Sequence, residues 1–180
     1  MNGPSGVEFP GGVVVAPATQ EDIDYVERNY RDGERRERAL AGADGVRTLL
    51  EDHESCWTVR AGNGDVLGYL GLLCMPGESC MSRTRGVSYM SCHNVDRHAF
   101  SFVKSSAYVM KWLFSQAPRW VDTFRAWTAA SFERSVVWQK KVLGMREVGR
   151  VPVGDDWLVV LETTRSEVER LVPVRKEKRA

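Results

Sequence analysis

The fold is decided by residues 57–72, which have the sequence WTVRAGNGDVLGYLGL. On either side of a short turn, residues 56–60 and 66–74 are rich in the β-branched, aromatic and other apolar side chains that strands favour. Between them, Asn63 and Gly64 form the dipeptide typical of two-residue hairpin turns, in which both central residues take a positive φ. The sequence therefore predicts an antiparallel hairpin in the middle of the chain.

Before this hairpin, the sequence predicts one strand and two helices. Residues 13–15 are three valines, which predict a short strand. Thr19 is a helix N-cap followed by acidic residues, and apolar side chains at spacings of three and four predict a helix that runs to about Arg31. Residues 32–38 are almost all charged, so we expect a solvated helix face or a loop there rather than a binding element. A second helix is expected over residues 43–53.

After the hairpin, the spacing of the apolar residues alternates between two, typical of strands, and 3.6, typical of helices. The predicted elements are a loop over 76–86, a strand over 87–93, a helix over 97–114, a strand over 121–128, a helix over 132–143, and two strands over 145–151 and 157–164. Together, the elements predict an α/β domain with a mixed, mainly antiparallel central sheet flanked by about four helices.

Size and charge narrow the class of protein. The chain has 180 residues, enough for one domain with a full core, and its 25 Lys and Arg nearly balance its 24 Asp and Glu. That balance argues against a nucleic-acid binder, which normally carries an excess of basic residues. The sequence has no apolar run of the roughly 20 residues that a membrane helix needs. Its first residues also lack the pattern of a signal peptide, so a cytoplasmic location is expected.

The two ends of the chain differ from its middle in composition. Residues 1–12 hold four glycines and two prolines, and residues 165–180 are of mixed charge. Ordering a residue's backbone costs about 1–2 kcal/mol, which such segments regain poorly by packing on their own domain. We therefore expect a flexible arm over 1–12, a domain over 13–164 and a charged tail over 165–180.

The cysteines do not form a recognisable metal or redox motif. They stand at positions 56, 74, 80 and 92, without a C-x-x-C pair, and this pattern predicts free thiols in a reducing compartment. The alternative is a metal site built from Cys80, Cys92 and His93. We expect no metal.

Three segments, in this order, resemble segments of a known family. Residues 13–22 resemble the opening strand and helix cap of the GNAT acyltransferases. Residues 57–72 resemble the central hairpin of that family, with Gly68 and Gly71 in the usual places. Residues 132–145 are similar to its last helix and the glycine that precedes the next strand. The resemblance covers residues 13–164, and it implies a GNAT-like fold.

Within the superfamily, the charged last helix followed by Gly144 resembles the GNAT-like proteins of short-tailed bacteriophages, which include an internal virion protein. This narrower resemblance implies protein partners in an assembly, located in the cytoplasm of a bacterial host or in the virion. An exposed subset of the six tryptophans would suit such an interface. No membrane or nucleic-acid partner is expected.

The family resemblance also implies where a cofactor would bind. The strands over 87–93 and 121–128 should run parallel and splay apart, with the helix over 97–114 crossing between them. Acyl-CoA would lie along the first strand, with its pyrophosphate at the backbone amides that begin the helix. The positions that match this cofactor site are Val95, Arg97, His98, Ala99, Phe100 and Lys104.

The stretch over 94–102 departs from the glycine-rich turn of the family. It contains no glycine, Phe100 is bulky, and Asp96 adds negative charge near the expected phosphates. The positive side chains of this stretch could compensate in part; alternatively, they are exposed polar groups at a helix start. We therefore expect the binding of acetyl-CoA to be weak or absent.

Candidates for proton transfer follow from the same resemblance. His93, at a strand end, is the first candidate for general base, because an ordinary histidine pKa of about 6.5 suits the deprotonation of an ammonium group. Tyr89 and Glu78 are further candidates. Lys140 stands where family members place a tyrosine that protonates the leaving thiolate. For each of these residues, a purely structural role is the alternative.

Two functions thus remain open. The departures at the phosphate turn and at Lys140 favour a GNAT-fold, acyltransferase-like protein of an assembly, in which acetyl transfer is weak or lost and no cofactor is bound. The alternative is an active acetyl-CoA-dependent N-acetyltransferase that acts on an amine.

Overall fold

The structure, a computed structural model, describes residues 6–41, 56–74, 79 and 81–171, with the backbone alone for 38–41. These residues form eight strands and six helices. The strands are β1 (Val7–Phe9), β2 (Val13–Pro17), β3 (Cys56–Ala61), β4 (Val66–Leu73), β5 (Thr84–Ser91), β6 (Thr123–Ala129), β7 (Arg146–Val153) and β8 (Asp156–Thr164). The helices are α1 (Gln20–Arg28), α2 (Asp32–Ala41), α3 (Asn94–Arg97), α4 (Ala99–Gln116), α5 (Glu133–Lys141) and α6 (Arg165–Glu169). None of the described helices is long and apolar enough to cross a membrane.

The strands form one sheet in the order β1-β2-β3-β4-β5-β6-β8-β7. Neighbouring strands are antiparallel except β5 and β6, which run parallel and pair only through residues 84–86 and 123–125. Beyond these three residue pairs, the ladder between β5 and β6 ends. The predicted α/β fold with a mixed, mainly antiparallel sheet is confirmed, as is its parallel strand pair. Of the described helices, α3 and α6 are short, with four and five residues. Three of the four longer ones, α1, α4 and α5, match predicted helices, whereas α2 covers residues 32–41, where a solvated helix face or a loop was expected.

The central hairpin forms, with a different turn from the one predicted. β3 and β4 pair antiparallel, and of the two turn residues Gly64 takes a positive φ, 92°, whereas Asn63 does not. β4 also packs closely against β5 at Gly68, where an added Cβ would lie 2.3 Å from the carbonyl oxygen of Met90. Glycine at this position therefore permits the close approach of the two strands.

Helices cover both faces of the sheet. On the face covered by α1, one group of side chains is buried together: Ile23, Val26, Tyr30, Tyr69 and Met90. The face covered by α4 and α6 has a larger core, which includes Val59, Leu70, Leu113, Phe124, Leu161 and Val168. The apolar residues that the sequence places on one side of the first helix are thus the ones that the structure buries.

Both end segments contribute to this core. β1 pairs with β2, and Phe9 is only 8% exposed. α6 packs on the domain and buries Val168. The structure therefore corrects the expected arm from residue 7 onward and the expected tail over α6, because an apolar side chain in each segment finds a core partner. Residues 1–5 and 172–180 lie outside the described part of the chain.

Three further boundaries differ from the prediction or fall outside the structure. β5 begins at Thr84, so the stretch predicted as a loop ends three residues earlier than expected. The helix predicted over 97–114 is interrupted at His98, which separates α3 from α4. The helix predicted over 43–53 lies outside the described residues.

Candidate active site

The divergence of β5 and β6 opens the sheet between residues 87–91 and 126–129, a region that we call the strand gap. In an antiparallel ladder, the amides of successive residues point alternately to the two neighbouring strands. The N–H of Cys92 donates to Leu67 of β4 at 3.0 Å, so the N–H of Ser91 faces the strand gap. On the other side, the N–H of Ala130 donates to Trp157 at 2.8 Å, so the N–H of Ala129 faces the gap as well.

α2 supplies two carboxyl groups that accept hydrogen bonds from these amides. Glu34 Oε1 accepts hydrogen bonds from the N–H of Ser91 at 3.1 Å and from the Ser91 hydroxyl. Glu37 Oε1 accepts from the N–H of Ala129 at 2.8 Å. Residues three apart lie on the same face of a helix, so α2 presents both side chains to the gap. Glu34 and Glu37, here called the carboxyl pair, thus connect the two separated strands.

Burial makes the carboxyl pair hold protons near neutral pH. It raises the pKa of Glu34 to about 7, against the lowering effects of the hydrogen bonds from Ser91 and of the charge on Arg31. Burial also raises the pKa of Glu37 to about 9, and the charge of Glu34 adds to this effect. The two carboxyls therefore share protons near neutral pH, so the pair can both take up and release a proton in the strand gap. Glu34 Oε2 has no hydrogen-bond partner among the described residues.

A partly open cavity of about 390 Å³, the gap cavity, lies beside the carboxyl pair and includes Glu37 in its lining. Its walls are mostly aliphatic and aromatic side chains from the sheet, α4 and α5. Gln139 is the most buried polar residue of α5, with 6% of its surface exposed. Its Nε2 donates to the hydroxyls of Thr128 and Ser135, while its Oε1 has no partner in the described part of the chain. The wall of the cavity thus contains a buried carbonyl oxygen without a hydrogen-bond partner among the described residues.

Three aromatic rings separate the gap cavity from a second cavity. The rings of Tyr89 and Phe102 stack with centroids 5.2 Å apart, and Trp138 lies 5.2 Å from Phe102. The second cavity, of about 270 Å³, lies between the beginnings of α4 and α5 and is here called the entrance cavity. Arg31 and Arg134 line it together with two acidic residues, Glu34 and Asp96, and the Arg31 guanidinium donates to Asp96 Oδ1 at 3.1 Å. The site is therefore polar, with charges of both signs, at this end and apolar inside.

The predicted catalytic residues occupy different places. Tyr89 lines both cavities, but its hydroxyl donates to the Leu67 carbonyl at 3.4 Å, and burial raises its pKa well above the ordinary value, so it is no base at neutral pH. His93 is exposed at the start of α3, where its backbone N–H donates to Asn29 at 3.2 Å. Lys140 pairs with Glu147 at 2.5 Å. The structure brings neither His93 nor Lys140 to either cavity.

The positions matched to a cofactor site are also dispersed. Val95 and Ala99 line the entrance cavity. His98 points away toward the β3–β4 turn, where its Nε2 lies 2.8 Å from Asp65, and Phe100 is 54% exposed. Arg97 is exposed and Lys104 is half-buried, and neither lines a cavity described above. The cations that line the entrance cavity are instead Arg31, which pairs with Asp96, and Arg134, and neither position follows from the family resemblance.

The carboxyl pair itself was missed. Residues 32–38 were expected to be solvated because of their charge, but Glu34 is only 3% exposed. The signal available in the sequence was the spacing of three between Glu34 and Glu37, which places two carboxyls on one helix face. Their burial could not be foreseen, because the strands that cover them are more than fifty residues away along the chain.

Within the described ranges, no group of three or more His, Cys, Asp and Glu side chains could hold a metal ion. Of the suggested metal ligands, Cys92 is buried, and its thiol donates to the Val66 carbonyl at 2.9 Å. Cys80 and the candidate base Glu78 lie outside the described residues.

No protein-family model and no curated protein matches this chain, but solved structures do. The spermidine N-acetyltransferase from Vibrio cholerae in complex with CoA and spermine has a TM-score of 0.64 at 10% identity, over 89% of this chain and 100% of that chain. RimJ from Mycobacterium smegmatis in complex with CoA-disulfide has a TM-score of 0.60 at 13% identity, over 93% and 89%. A GCN5-related N-acetyltransferase from Kribbella flavida has a TM-score of 0.58 at 15% identity, over 86% and 99%.

This chain has the GNAT fold. At such identities the likeness establishes the fold, and the activity has to be argued from the site. The narrower resemblance to virion proteins of bacteriophages, with the protein partners that it implies, stays a prediction.

Proposed function

We propose that this GNAT-fold protein is an acyl-CoA-dependent N-acyltransferase whose carboxyl pair moves the protons of the reaction. The observation that carries the proposal is the position of the buried Glu34 and the half-buried Glu37 in the strand gap, beside an apolar cavity, with pKa values raised to about 7 and about 9. Perturbed acids in a cleft are typical of catalytic groups. Complexes of structural neighbours with CoA support the choice of donor.

The residues of both cavities suit such a donor. At the entrance cavity, Arg134 supplies positive charge for phosphate groups in place of the missing glycine turn, whereas the guanidinium of Arg31 is already paired with Asp96. Further in, the gap cavity offers mostly apolar walls to the acyl end of the donor. Acyl-CoA supplies an acyl thioester, whose carbonyl carbon exchanges its bond to sulfur for a bond to the acceptor nitrogen.

The carboxyl pair accounts for the protons of this exchange. An acceptor ammonium loses two protons in becoming an amide; one ends on the departing sulfur and the other in solvent. Glu34 Oε2, which lacks a hydrogen-bond partner among the described residues, takes up the proton that the ammonium must lose before its nitrogen can attack. Glu37, protonated at neutral pH, can give a proton to the departing sulfur and regain one afterwards.

Substitution of Glu34 tests this function. Glu34→Gln keeps an oxygen that can accept the Ser91 hydrogen bonds but removes the titrating group, so we expect turnover to fall by about 100-fold or more with little change in acyl-CoA affinity. Turnover is measured as free thiol released from acyl-CoA with a panel of primary amines that includes spermidine, and affinity by isothermal titration. The matched control is Glu169→Gln at an exposed position of α6. Unchanged turnover in Glu34→Gln would exclude Glu34 as the base.

A role in an assembly is the second candidate function, the one implied by the resemblance to virion proteins. The observation that favours it is the set of exposed apolar side chains on the β7–β8 hairpin: Val148, Val151 and Trp157 are 46%, 47% and 49% exposed, with Val151 and Trp157 on opposite faces. Among the described strands, β7 is also an edge strand that pairs only with β8. Exposed edges of this kind invite pairing with another chain.

The assembly role predicts self-association or partner binding that depends on this hairpin. We expect Val151→Asp to shift the purified chain from larger species to the monomer in light scattering, because a charge is costly in an apolar interface. Val137→Asp, at an exposed position on α5, is the control. A chain that is monomeric with and without Val151→Asp, and that binds acyl-CoA, favours the enzyme.

A further inference from the structure

We infer that the acyl group of the donor is a medium-length chain of roughly six to ten carbons, held in the gap cavity between the sheet and α4. The inference rests on the proposed function and specifies its donor. The first observation is the volume of the gap cavity, which is larger than an acetyl group needs. The second is the distribution of polar and apolar groups along its walls.

The gap cavity extends far from the carboxyl pair. Its lining includes Val13 on β2, Val59 on β3, Leu70 on β4 and Ala126 on β6. Because neighbouring strands lie about 4.8 Å apart, the distance from β2 to β5 alone is roughly 14 Å. The cavity therefore continues under the sheet, well past the place where an acyl carbonyl would meet Glu34 and Glu37.

The volume of the cavity is large for an empty space in a core. An engineered cavity of about 150 Å³ holds a six-carbon ring, whereas the gap cavity measures about 390 Å³. Protein interiors are close-packed, and unfilled apolar volume costs stability, so a natural core of this shape suits an occupant. A two-carbon acetyl group would leave most of it unfilled.

The distribution of polar groups identifies the kind of occupant. The strand-gap end of the cavity holds Glu37, Thr128 and Gln139, whereas the α4 side presents Val109 and Leu113. A ligand that matches this arrangement has a polar, reactive head and an apolar tail. A medium-chain acyl thioester has this form, with its carbonyl in the strand gap and its chain against α4.

Binding to a series of acyl-CoAs tests the inference. Each methylene that becomes buried contributes about 0.8 kcal/mol, or about fourfold in affinity. Even with incomplete burial, we expect octanoyl-CoA to bind the whole chain at least about 50-fold more tightly than acetyl-CoA in isothermal titration. Turnover with amines, measured as thiol release, should follow the same preference.

A substitution that fills the cavity should shorten the preferred chain. Val109→Phe adds volume on the α4 side, so we expect the octanoyl-CoA affinity to fall at least tenfold while acetyl-CoA affinity stays the same. The matched control is Val137→Phe, at an exposed position on α5 that does not line the gap cavity. Thermal unfolding of each variant verifies folding, and Ala126→Leu, on the β6 side of the cavity, serves as the second filling variant.

The outcomes separate the inference from the function on which it rests. Tight octanoyl-CoA binding that Val109→Phe and Ala126→Leu weaken supports the inference. Equal affinity for acetyl-CoA and octanoyl-CoA overturns it and leaves the acyltransferase in place. If none of the acyl-CoAs binds, the proposed function fails and the inference fails with it.

Discussion

A single side chain, Glu34, satisfies the backbone and carries reactive chemistry at the same time. Its Oε1 accepts the N–H of Ser91, which would otherwise face the strand gap unpaired, and a buried unpaired amide costs about 1–3 kcal/mol. Its Oε2 has no partner among the described residues. Burial makes the hydrogen bond from Ser91 stabilising, and it also disfavours the charged carboxylate. The pKa of Glu34 therefore rises toward 7.

The carboxyl pair should make folding stability depend on pH. Because folding raises both pKa values, the folded state binds protons more tightly than the unfolded chain, and stability falls as the pH rises from the ordinary glutamate pKa of 4.5 through the folded values of about 7 and about 9. With these values, we expect the free energy of unfolding to drop by roughly 6 kcal/mol between pH 5 and pH 8, roughly 2–3 from Glu34 and roughly 4 from Glu37. Denaturant titrations at a series of pH values between 5 and 8 measure this drop.

The double variant Glu34→Gln with Glu37→Gln removes both titrations and should flatten this profile, whereas Glu169→Gln should preserve it. Glu147 does not interfere, because hydrogen bonds from Arg150 and Lys140 lower its pKa to about 2 and its titration ends below this pH range. A stability that stays constant or rises between pH 5 and pH 8 would show that the pair is not held in a buried, proton-binding state.

At the scale of elements, the sequence predicts best where the partners are close in the chain. The β3–β4 hairpin needs only its own alternation and the Asn63–Gly64 turn, and it forms where it was predicted. The start of β5 does not follow from its own sequence, because Thr84 and Gly86 carry no apolar pattern. These residues become a strand through pairing with β6, almost forty positions later. Non-local pairing of this kind leaves no periodic signal.

α2 shows that residues of the functional site are also hard to predict when their partners are distant in the chain. Its charged sequence predicts a solvated element, and most helices of this composition are solvated. Here the ends of β5 and β6 present unpaired amides, and Glu34 and Glu37 are drawn in to accept them. The fold class, the place of the site between two splayed strands and a few residues of its lining, such as Tyr89 and Val95, could therefore be predicted, but the carboxyl pair could not.

On the scale of the whole molecule, the sheet consists of two antiparallel parts, β1–β5 and β6–β8, joined by only three parallel residue pairs. Contacts from other elements stabilise this short connection between the two parts of the sheet. The guanidinium of Arg165 donates to the carbonyls of Phe114 and Val121, at the end of the crossover from β5 to β6. The two parts can therefore separate at the strand gap while the opposite end of the same strands stays paired, which is the shape that a ligand site between them requires.

The packing of β1 determines whether the N-terminal segment is part of the folded domain or a free arm. The ring of Phe9 meets that of Trp112 edge-on with centroids 6.0 Å apart, and it is 8% exposed, whereas Val7 on the same strand is 43% exposed. Truncating a buried phenylalanine typically costs about 3–5 kcal/mol. Because Phe9 lies on an edge strand, we expect Phe9→Ala to lower the free energy of unfolding by about 2–4 kcal/mol in denaturant titration, and Val7→Ala by less than about 1 kcal/mol. Equal, small effects of the two substitutions would mean that the first twelve residues are the mobile arm that their glycine and proline content predicts.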